Sequence, residues 1–284
     1  MRWQELYLPL PLLQVIGKNR ILRRLLGYTY SKYGPGAFQV RVEGSIMFFP
    51  KDSLSLALLM ASGSYEKHLT YFVKRIVRNG MVTVDVGAGF GYYTLLLSKL
   101  VSSEGRVHVF EPEPSRYKFL LANIKINRCT NVVVNNLAVS NKSGKAKMYV
   151  HGETSSLYVR NYSEHIVEVN TITLDEYFEE HGGGKVHLIK IDAEGSEPYI
   201  LLGAEKILRK TEILITEFCP RTLKSSGYSS VDFLKLLKNQ NFAVYYLEGS
   251  QTKDVSSIDL ISYMSRKKIE SVNLVCFKRR SGSV

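Results

Sequence analysis

Two short stretches carry residue types that suit the binding of a nucleoside cofactor. The stretch VTVDVGAGFGYYT at 82–94 predicts a β-strand, a glycine-rich loop and a helix start, and VHVFEPEP at 107–114 predicts a second strand that ends on Glu111. Glycines let a backbone approach a ligand closely at the carboxyl edge of a parallel sheet. An acid at the end of the next strand can accept both hydroxyl groups of a ribose. The pattern therefore predicts a nucleoside site at this edge.

Two cofactors fit this outline, a dinucleotide and S-adenosylmethionine, and Asp85 helps to separate them. A pyrophosphate favours uncompensated N–H donors at a helix start, where a carboxylate would repel it. S-adenosylmethionine carries a sulfonium and an ammonium, which a carboxylate attracts. Tyr92 also stands where a dinucleotide fingerprint has its third glycine. We therefore predict S-adenosylmethionine. The competing interpretation is a tight strand–helix turn that only packs.

Further acids follow two later strands. The stretch KIDAEGSEPYILLGA at 190–204 places Asp192 and Glu194 just after a predicted buried strand, and TEFCP places Glu217 at the end of another. Carboxyl ends of parallel strands share one edge of a sheet, so these acids are expected beside the glycine loop. A carboxylate there can steer a sulfonium, bind substrate hydroxyls or remove a proton. Asp192, Glu217 and Glu194 are the candidate catalytic residues; the alternative is that they are solvated or satisfied edge residues.

A metal site is not predicted. Asp192 and Glu217 would suit magnesium, but a clear third ligand is missing. The three cysteines are far apart and the six histidines lack metal spacing, with His68 the only one that we expect near the cleft. The strand that ends at Asp192 also lacks the Asn-Pro-Pro-aromatic or Asp-Pro-Pro-aromatic element with which amino methyltransferases hold a planar nitrogen.

Composition limits the class of protein. The chain has 284 residues, 45% of them hydrophobic, and a formal net charge of +12. That length predicts one large domain, or one domain with an extension. The positive charge favours an anionic partner such as nucleic acid, a membrane surface or a charged glycan, or else reflects a dispersed basic surface. The apolar run at 6–17 is short and broken by prolines, and the odd, scattered cysteines suggest a reducing compartment. We predict a cytoplasmic location.

The chain divides into two predicted parts. Residues 1–79 form an N-terminal extension with helices and a hairpin at 38–50, and residues 80–284 form an S-adenosylmethionine-binding domain in which strands and helices alternate. Expected strands are 81–86, 106–111, 131–138, 185–192, 212–218, 241–248 and 272–279, and expected helices include 92–101, 114–127, 196–210 and 230–239. The stretch 145–172 is strand-like and interrupts the alternation, and 249–270 should be the least structured part.

The opening segment mixes cations with apolar residues. From Leu10 to Leu26, leucines and isoleucines alternate with Lys18, Arg20 and two further arginines. This pattern is typical of a basic amphipathic helix, which can lie on an anionic membrane. The interpretation that we favour is a helix whose apolar side packs on the main domain. Peripheral membrane contact through residues 1–30, at the inner face, is the alternative.

Taken together, the motifs resemble the FkbM family of S-adenosylmethionine-dependent methyltransferases. The resemblance rests on GSYE at 63–66, GMVTVDVGAGFGYYTLLLS at 80–98, VFEPEPSRYKFLLANIKIN at 109–127, NLAVSNKSGKAKMYV at 136–150, VNTITLDEYF at 169–178 and LIKIDAEGSEPYILLGA at 188–204. It implies an α/β class I methyltransferase fold, a Rossmann-like, seven-stranded and mostly parallel sheet with helices on both faces and an antiparallel last strand. It also implies methyl transfer mostly to oxygen, on sugars, glycolipids or other small metabolites.

The resemblance also implies which residues would hold the cofactor. Glu111 would hold the ribose, and Asn136 and Ala138 would face the adenine. Asp192 is a further candidate cofactor contact because of its expected position at the same edge. The methionine part would contact Tyr65, Glu66, Asp85, Gly87, Ala88, Gly89, Gly91 and Thr94. The pair Gly89-Phe90 departs from the Asn-hydrophobic pair that is common in the family.

Three functions remain open from the sequence. The first is an O-methyltransferase that acts on a small-molecule, glycan or lipid-linked acceptor. The second is an RNA or protein methyltransferase that uses the basic surface, although no RNA-binding module is recognisable. The third is a non-catalytic S-adenosylmethionine-binding module, against which the intact acids at the cleft weigh.

Overall fold

A computed structural model describes residues 4–5, 10–34, 36–151, 154–157, 165–255 and 259–279 of the chain. In chain order the elements are β1 (Gln4–Glu5), α1 (Leu10–Lys18), α2 (Arg20–Tyr33), β2 (Ala37–Val42), β3 (Ser45–Pro50), a 3₁₀ turn (Lys51–Ser53), α3 (Leu54–Ala61), α4 (Lys67–Ile76), β4 (Val82–Val86), α5 (Tyr92–Val101), β5 (Arg106–Phe110), α6 (Pro114–Ile126), β6 (Val132–Asn135), β7 (Ala138–Val139), β8 (Gly144–His151), β9 (Thr154–Ser156), β10 (His165–Ile172), α7 (Leu174–Glu180), β11 (Val186–Ile191), α8 (Glu197–Leu202), α9 (Glu205–Arg209), β12 (Thr211–Phe218), α10 (Pro220–Ser225), α11 (Ser230–Asn239), β13 (Phe242–Glu248), β14 (Gln251–Asp254), α12 (Leu260–Lys267) and β15 (Val272–Lys278).

The largest sheet of the described residues is the expected class I methyltransferase sheet with one strand added. Its order is β14-β13-β15-β12-β11-β4-β5-β6. The neighbours from β12 through β11, β4 and β5 to β6 pair in parallel, and β15 runs antiparallel between β12 and β13. Because β4, β5, β11 and β12 run in one direction, their carboxyl ends lie along one edge. This is the edge on which the sequence places the acids.

The eighth strand lies in a stretch whose structure the sequence analysis did not predict. Residues 249–270 were expected to be the least structured, but they contain β14 and helix α12. The side chains of β14 are exposed and polar, so the strand lacks the alternating apolar pattern that marks a half-buried strand. It is held as an edge strand by antiparallel pairing with β13. Backbone pairing of this kind leaves no signal in composition.

Two expected elements have different bounds. The strand expected at 131–138 ends at Asn135, and Ala138–Val139 joins a second sheet of order β7-β10-β8-β9, which accounts for the strand-like interruption at 145–172. The helix expected at 196–210 is two helices separated at Gly203. A Cβ on Gly203 would lie 2.2 Å from the carbonyl oxygen of Ser140, so close packing requires glycine there.

The N-terminal hairpin shares a core with the large sheet. Glu43 and Gly44 form its two-residue turn, and both have positive φ, as the tight turns of hairpins require. Asn123 on α6 bonds to both backbone groups of Phe48 in β3, at 2.6 Å and 3.2 Å, and to the carbonyl oxygen of Phe90. The division between residues 79 and 80 stays a prediction, and the two parts are joined by one apolar cluster.

The opening segment contains two helices rather than one. Asn19 ends α1 and caps α2, because its side-chain oxygen accepts from the backbone N–H of Leu22 at 3.0 Å. Ile16 is buried, and a Cβ on Gly17 would lie 2.0 Å from the Oγ of Ser62, so α1 lies directly on α3. Across the parts of the chain that the structure describes, every helix is too short or too polar to cross a bilayer.

Candidate active site

The glycine loop after β4 lies against the end of β11. Gly87 has a φ of +79°, and a Cβ there would lie 1.9 Å from the carbonyl oxygen of Asp192. The backbone N–H of Asp192 in turn donates to the carbonyl oxygen of Val86 at 3.0 Å. Only glycine fits this contact. Gly89 also has a positive φ of +58°, but a Cβ there would meet no described atom within 4 Å, so that side of the loop faces open space.

Glu111 holds the glycine loop in place. Its Oε2 accepts from the backbone N–H of Gly89 at 2.7 Å, and its Oε1 accepts from the N–H of Glu113 at 2.9 Å. The side chain is buried, and this burial raises the pKa of Glu111 to about 7. The sequence predicts a ribose-binding role for this acid, which stays a prediction. The structure adds a second role, in which the same carboxylate shapes the loop.

Asp85 is buried beneath the loop with one oxygen satisfied. Its Oδ2 accepts from the hydroxyl of Thr94 at 2.6 Å, so Thr94 positions this carboxylate. Its Oδ1 is buried and has no hydrogen-bond partner among the described residues. Burial raises the pKa of Asp85, against the opposing effect of Lys190. A buried carboxylate oxygen without a donor is costly, and a ligand cation could supply that donor.

Lys190 is the main site residue that the sequence analysis missed. This buried side chain donates from Nζ to Oδ2 of Asp192 at 3.1 Å and lies 4.6 Å from the ring centroid of Tyr93. Burial alone would lower the pKa of Lys190, but the carboxylates of Asp192, Asp85 and Glu66 together raise it. A lysine in the largely apolar run VHLIKI, two residues before an acid, was the signal available.

Glu66 lies at the start of α4 in a left-handed backbone conformation, with φ 39°. Asn273 of β15 donates to its Oε1 at 2.9 Å, and the hydroxyl of Tyr93 also interacts with this buried carboxylate. Burial raises the pKa of Glu66, and this effect exceeds the opposing influence of Lys190. The neighbouring Tyr65 ring contacts Tyr92 edge-on at 4.9 Å, and burial raises the pKa of Tyr65 too.

Two adjoining clefts open over this edge of the sheet. The first, here called the apolar cleft, is lined by Val86, Gly87, Phe110, Glu111, Pro112, Arg116, Leu137, Ala138, Val139, Met148, Ser155, Leu157, Asp192, Ala193, Glu194 and Ser196. The second, here called the tyrosine cleft, is lined by Leu56, Met60, Tyr65, Asp85, Gly87, Ala88, Gly89, Phe90, Tyr92, Tyr93, Arg116, Lys190, Asp192 and Glu194. Gly87, Arg116, Asp192 and Glu194 line both, so the two clefts meet at these four residues.

The candidate catalytic acids differ in position. Asp192 and Glu194 line both clefts, and Glu194 has a positive φ of 53° with its carbonyl oxygen accepting from the Ser156 hydroxyl at 2.9 Å. Glu217 lies at the same sheet edge but lines neither cleft. Burial, followed by the charges of Asp192 and Glu194, raises the pKa of Glu217 to about 9. Near neutral pH Glu217 is therefore mostly protonated in this state of the protein.

Several predicted cofactor residues support the clefts without lining them. Asn136 donates from its amide to the carbonyl oxygens of Glu111 and Pro112, at 2.9 Å and 3.1 Å, and so shapes the loop after β5. Glu66, Gly91, Thr94 and Asn136 line neither cleft, and neither does His68. Tyr65, Asp85, Gly87, Ala88, Gly89, Glu111, Ala138 and Asp192 do line one or both.

Arg116 was also missed, because nothing in its local pattern marks it. It lies on α6, lines both clefts and donates to the hydroxyl of Ser155 at 3.1 Å. Its guanidinium also lies 3.9 Å from Glu113. Arg116 therefore links the large sheet's edge to the second sheet. Among the described residues, no group of three or more histidines, cysteines and acids has the geometry to hold a metal ion.

The family is settled by a match over more than half of the chain. Residues 85–244 match the model of the Methyltransferase FkbM domain. The chain belongs to the FkbM methyltransferase family. This membership confirms the resemblance drawn from the motifs, and with it the prediction that the chain is a methyltransferase.

Individual relatives are more distant. The chain is 42% identical over 52 residues to a tRNA(Phe) (4-demethylwyosine(37)-C(7)) aminocarboxypropyltransferase of Methanocaldococcus jannaschii, a match that covers 18% of this chain and 20% of the relative. It is 27% identical over 161 residues to the ribosomal protein L11 methyltransferase of Caldanaerobacter subterraneus subsp. tengcongensis, covering 56% and 46%. The chain thus spans less than half the length of either relative.

A solved structure of Aeropyrum pernix fibrillarin in complex with S-adenosylmethionine is similar at 12% identity and a TM-score of 0.45, covering 86% of this chain and 83% of that one.

Proposed function

We propose that the chain transfers a methyl group from S-adenosylmethionine to a hydroxyl group of a sugar, glycolipid or other small metabolite. The observation that carries this proposal is the position of Asp192, whose carboxylate lies where the apolar cleft and the tyrosine cleft meet. The apolar cleft suits the adenosine of the cofactor and the tyrosine cleft its methionine part, so Asp192 lies beside the place of the sulfonium, where an acceptor must approach. Methyl transfer is an in-line displacement that depends mainly on positioning and on the placement of charge.

The residues present fit the proposed cofactor. The apolar cleft offers Leu137, Ala138 and Met148 to an adenine and Glu111 to a ribose. Asp85 lines the tyrosine cleft, and its Oδ1 is a buried acceptor without a described donor, which suits an ammonium. S-adenosylmethionine, when bound, supplies an electrophilic methyl group on a sulfonium. The carboxylates of this edge stabilise its positive charges.

Asp192 is the proposed general base. A hydroxyl acceptor is a poor nucleophile at neutral pH and benefits from a carboxylate within hydrogen-bond reach. Lys190 fixes the orientation of Asp192 through the 3.1 Å contact and leaves the other carboxylate oxygen for the acceptor. Glu194 orients the acceptor from the same junction. Glu217, with its raised pKa of about 9, is a weaker base candidate because so little of it is ionised near neutral pH.

The second candidate function is methylation of RNA or protein. The specific observation in its favour is the net charge of +12, which attracts polyanions such as RNA. The tRNA enzyme and the ribosomal protein methyltransferase among the relatives act on such macromolecules by name, but they align over limited parts of their length.

One experiment separates these functions. The protein is incubated with S-adenosylmethionine labelled in its methyl group and with cell extract divided into small-molecule, glycan, lipid, RNA and protein fractions. We expect label in the small-molecule, glycan or lipid fraction, and loss of that label with Asp192→Asn. Label that enters only RNA or protein would replace the proposal with the second function. Binding of the cofactor with no transfer to any fraction would favour a binding module.

A further inference from the structure

Helix α2 presents an apolar stripe to solvent. Ile21, Leu25 and Tyr28 are 73%, 60% and 69% exposed. They follow one another at intervals of four and three residues, so they lie on one face of the helix. The outward face of a surface helix is ordinarily polar, which makes a contiguous apolar stripe there unusual.

The orientation of this stripe is set by packing on the opposite face. Gly27 is buried, and a Cβ there would lie 3.3 Å from the Cβ of Ser55 on α3. The ring of Tyr30 meets that of Phe38 edge-on at 5.2 Å. The helix is therefore anchored on the protein by one side. The other side stays exposed although the anchoring contacts are already made.

The apolar surface continues around the two helices. On α1, Leu12 and Val15 are exposed, while the adjacent Ile16 is buried against the core. A largely apolar groove runs beside α2 between α1 and α3, lined by Ile16, Leu26, Thr29, Tyr30, Tyr33, Gly34, Leu54 and Leu58. The stripe, the two α1 residues and this groove are here called the α1–α2 surface.

Charge on this segment has a single sign. Between Glu5 and Glu43 the sequence carries six cations and no acid. Of these, Lys18, Arg20 and Arg24 are exposed on α1 and α2 beside the apolar side chains, and Lys32 is exposed one turn further along α2. A partner that binds the α1–α2 surface must therefore offer both an apolar region and negative charge.

We propose that the α1–α2 surface docks on the face of an anionic phospholipid bilayer. The apolar side chains enter the boundary between head groups and acyl chains, and the flanking cations lie at the level of the lipid phosphates. A second copy of the chain fits less well, since it would bring the same cations into contact. A nucleic acid would leave Ile21 and Leu25 without an apolar partner. The inference is independent of the methyl acceptor.

Vesicle flotation tests this proposal with the full chain. The protein is mixed at low and at high salt with phosphatidylcholine vesicles and with vesicles that also contain phosphatidylglycerol. We expect flotation with the anionic vesicles at low salt and its loss at high salt or with the neutral vesicles. Failure of the unmodified chain to float with anionic vesicles at low salt would overturn the proposal.

Two pairs of variants locate the surface. The double variant Ile21→Ser with Leu25→Ser removes apolar side chains from the α1–α2 surface. Its matched control is Ile166→Ser with Val231→Ser, because these two apolar residues lie elsewhere and are 53% and 50% exposed. Arg20→Gln with Arg24→Gln removes two charges, and Lys238→Gln with Lys267→Gln on α11 and α12 is the control of equal net charge. At limiting lipid, we expect the fraction of protein bound to vesicles to fall about tenfold or more in the two test variants on α2. In the two control variants, we expect the bound fraction to be unchanged.

Equal losses in a test pair and its control would overturn the proposal, because binding would then follow total charge or general hydrophobicity. All eight positions are exposed, and thermal melts check that each variant is folded. Light scattering of the unmodified chain tests whether the α1–α2 surface binds a second copy of the chain. A dimer that Ile21→Ser with Leu25→Ser dissociates would assign the surface to a second copy instead.

Discussion

The carboxyl edge of the large sheet and the α1–α2 surface place charged and apolar side chains in opposite ways. At the sheet edge, Lys190 is buried in contact with Asp192 and close to Asp85 and Glu66. On the α1–α2 surface, Ile21 and its apolar neighbours face solvent between cations. The sheet edge buries charged groups away from water, whereas the α1–α2 surface exposes apolar side chains to water.

Each arrangement is unfavourable for the protein alone and useful with a partner. Burial raises the pKa values of acids at the edge, and Oδ1 of Asp85 lacks a described donor, so a cationic ligand would relieve the site. The unfavourable exposure of apolar surface to water is removed when that surface binds an apolar partner. Departures from ordinary burial therefore indicate binding in both regions, and the kind of departure indicates the chemistry of the partner.

The largest expected effect comes from removal of the buried cation. Lys190→Met leaves Asp192, Asp85 and Glu66 without their compensating charge, so we expect a loss of about 3–5 kcal/mol in the free energy of unfolding. The control is Lys185→Met, which removes the partly exposed Lys185–Glu212 pair and should change stability by no more than about 1 kcal/mol. Urea denaturation measures both. If both variants lost the same free energy of unfolding, the Lys190–Asp192 pair would stabilise the protein no more than a partly exposed ion pair does.

The next effect concerns turnover. Asp192→Asn keeps the size of the side chain and removes its basicity, so kcat should fall about 100-fold or more with a smaller change in cofactor affinity. Glu217→Gln should change kcat little, because Glu217 is mostly protonated near neutral pH. Steady-state kinetics with calorimetric binding measures both. The reverse pattern would assign the base to Glu217, and near-normal turnover in both variants would remove both acids from that role.

Cofactor affinity should depend on Glu111 and on pH. Glu111→Gln should weaken S-adenosylmethionine binding by about 1.5–3 kcal/mol, the range for hydrogen bonds to charged groups. The ionised carboxylate accepts hydroxyl donors and the pKa of Glu111 is about 7, so affinity should rise from slightly acidic to slightly alkaline pH. Calorimetry across that range measures the slope. A slope that persists in Glu111→Gln would belong to another group.

A smaller effect is expected in the pH dependence of stability. The pKa of Glu217 is raised by folding to about 9, so the stability that this group contributes is present below its unfolded pKa and is lost as pH rises through the folded value. Glu217→Gln removes this loss, and we expect the variant to gain about 1–3 kcal/mol relative to the parent between mildly acidic pH and pH near 8. Denaturation at both pH values checks this. If the free energy of unfolding of the variant and of the parent changed with pH in the same way, Glu217 would not be a buried ionisable group.

The smallest effect tests the α1–α2 surface. Ile21→Ser should change the free energy of unfolding by no more than about 0.5 kcal/mol, because the side chain is 73% exposed. Ile16→Ala, at the buried neighbour on α1, should cost about 2 kcal/mol or more. Thermal or urea melts compare the two. A large loss for Ile21→Ser would show that the stripe supports the fold.

Much of the sheet could be predicted because its strands are buried runs with strong patterns. β4, β5, β11, β12 and β15 each fall within one or two residues of the expected bounds. The misses have different causes. β14 forms a hairpin with the preceding strand β13, but its side chains are polar and exposed, so it lacks the alternating apolar pattern of a half-buried strand. Gly203 lies against the carbonyl oxygen of Ser140, and this contact between residues far apart in the chain leaves no local pattern.

The site divides in the same way. Asp85, the glycine loop, Glu111 and Asp192 were predicted together, since each follows a parallel strand and such ends share an edge. Lys190 and Arg116 were not, because one lies within a strand and the other on a helix, where a cation is ordinarily solvated. Their positions in the clefts depend on how β11 and α6 pack around the loop.

By itself, the sequence determined the alternation of strands and helices, the glycine loop, the acids at the ends of strands and the family. These are local properties, set by periodicity and by backbone needs within a few residues. Only the tertiary structure decided that Lys190 is buried among three carboxylates, that Glu111 holds the loop, and that Ile21 faces solvent while Ile16 does not. Burial and pairing depend on neighbours distant in the chain, which the fold alone brings together.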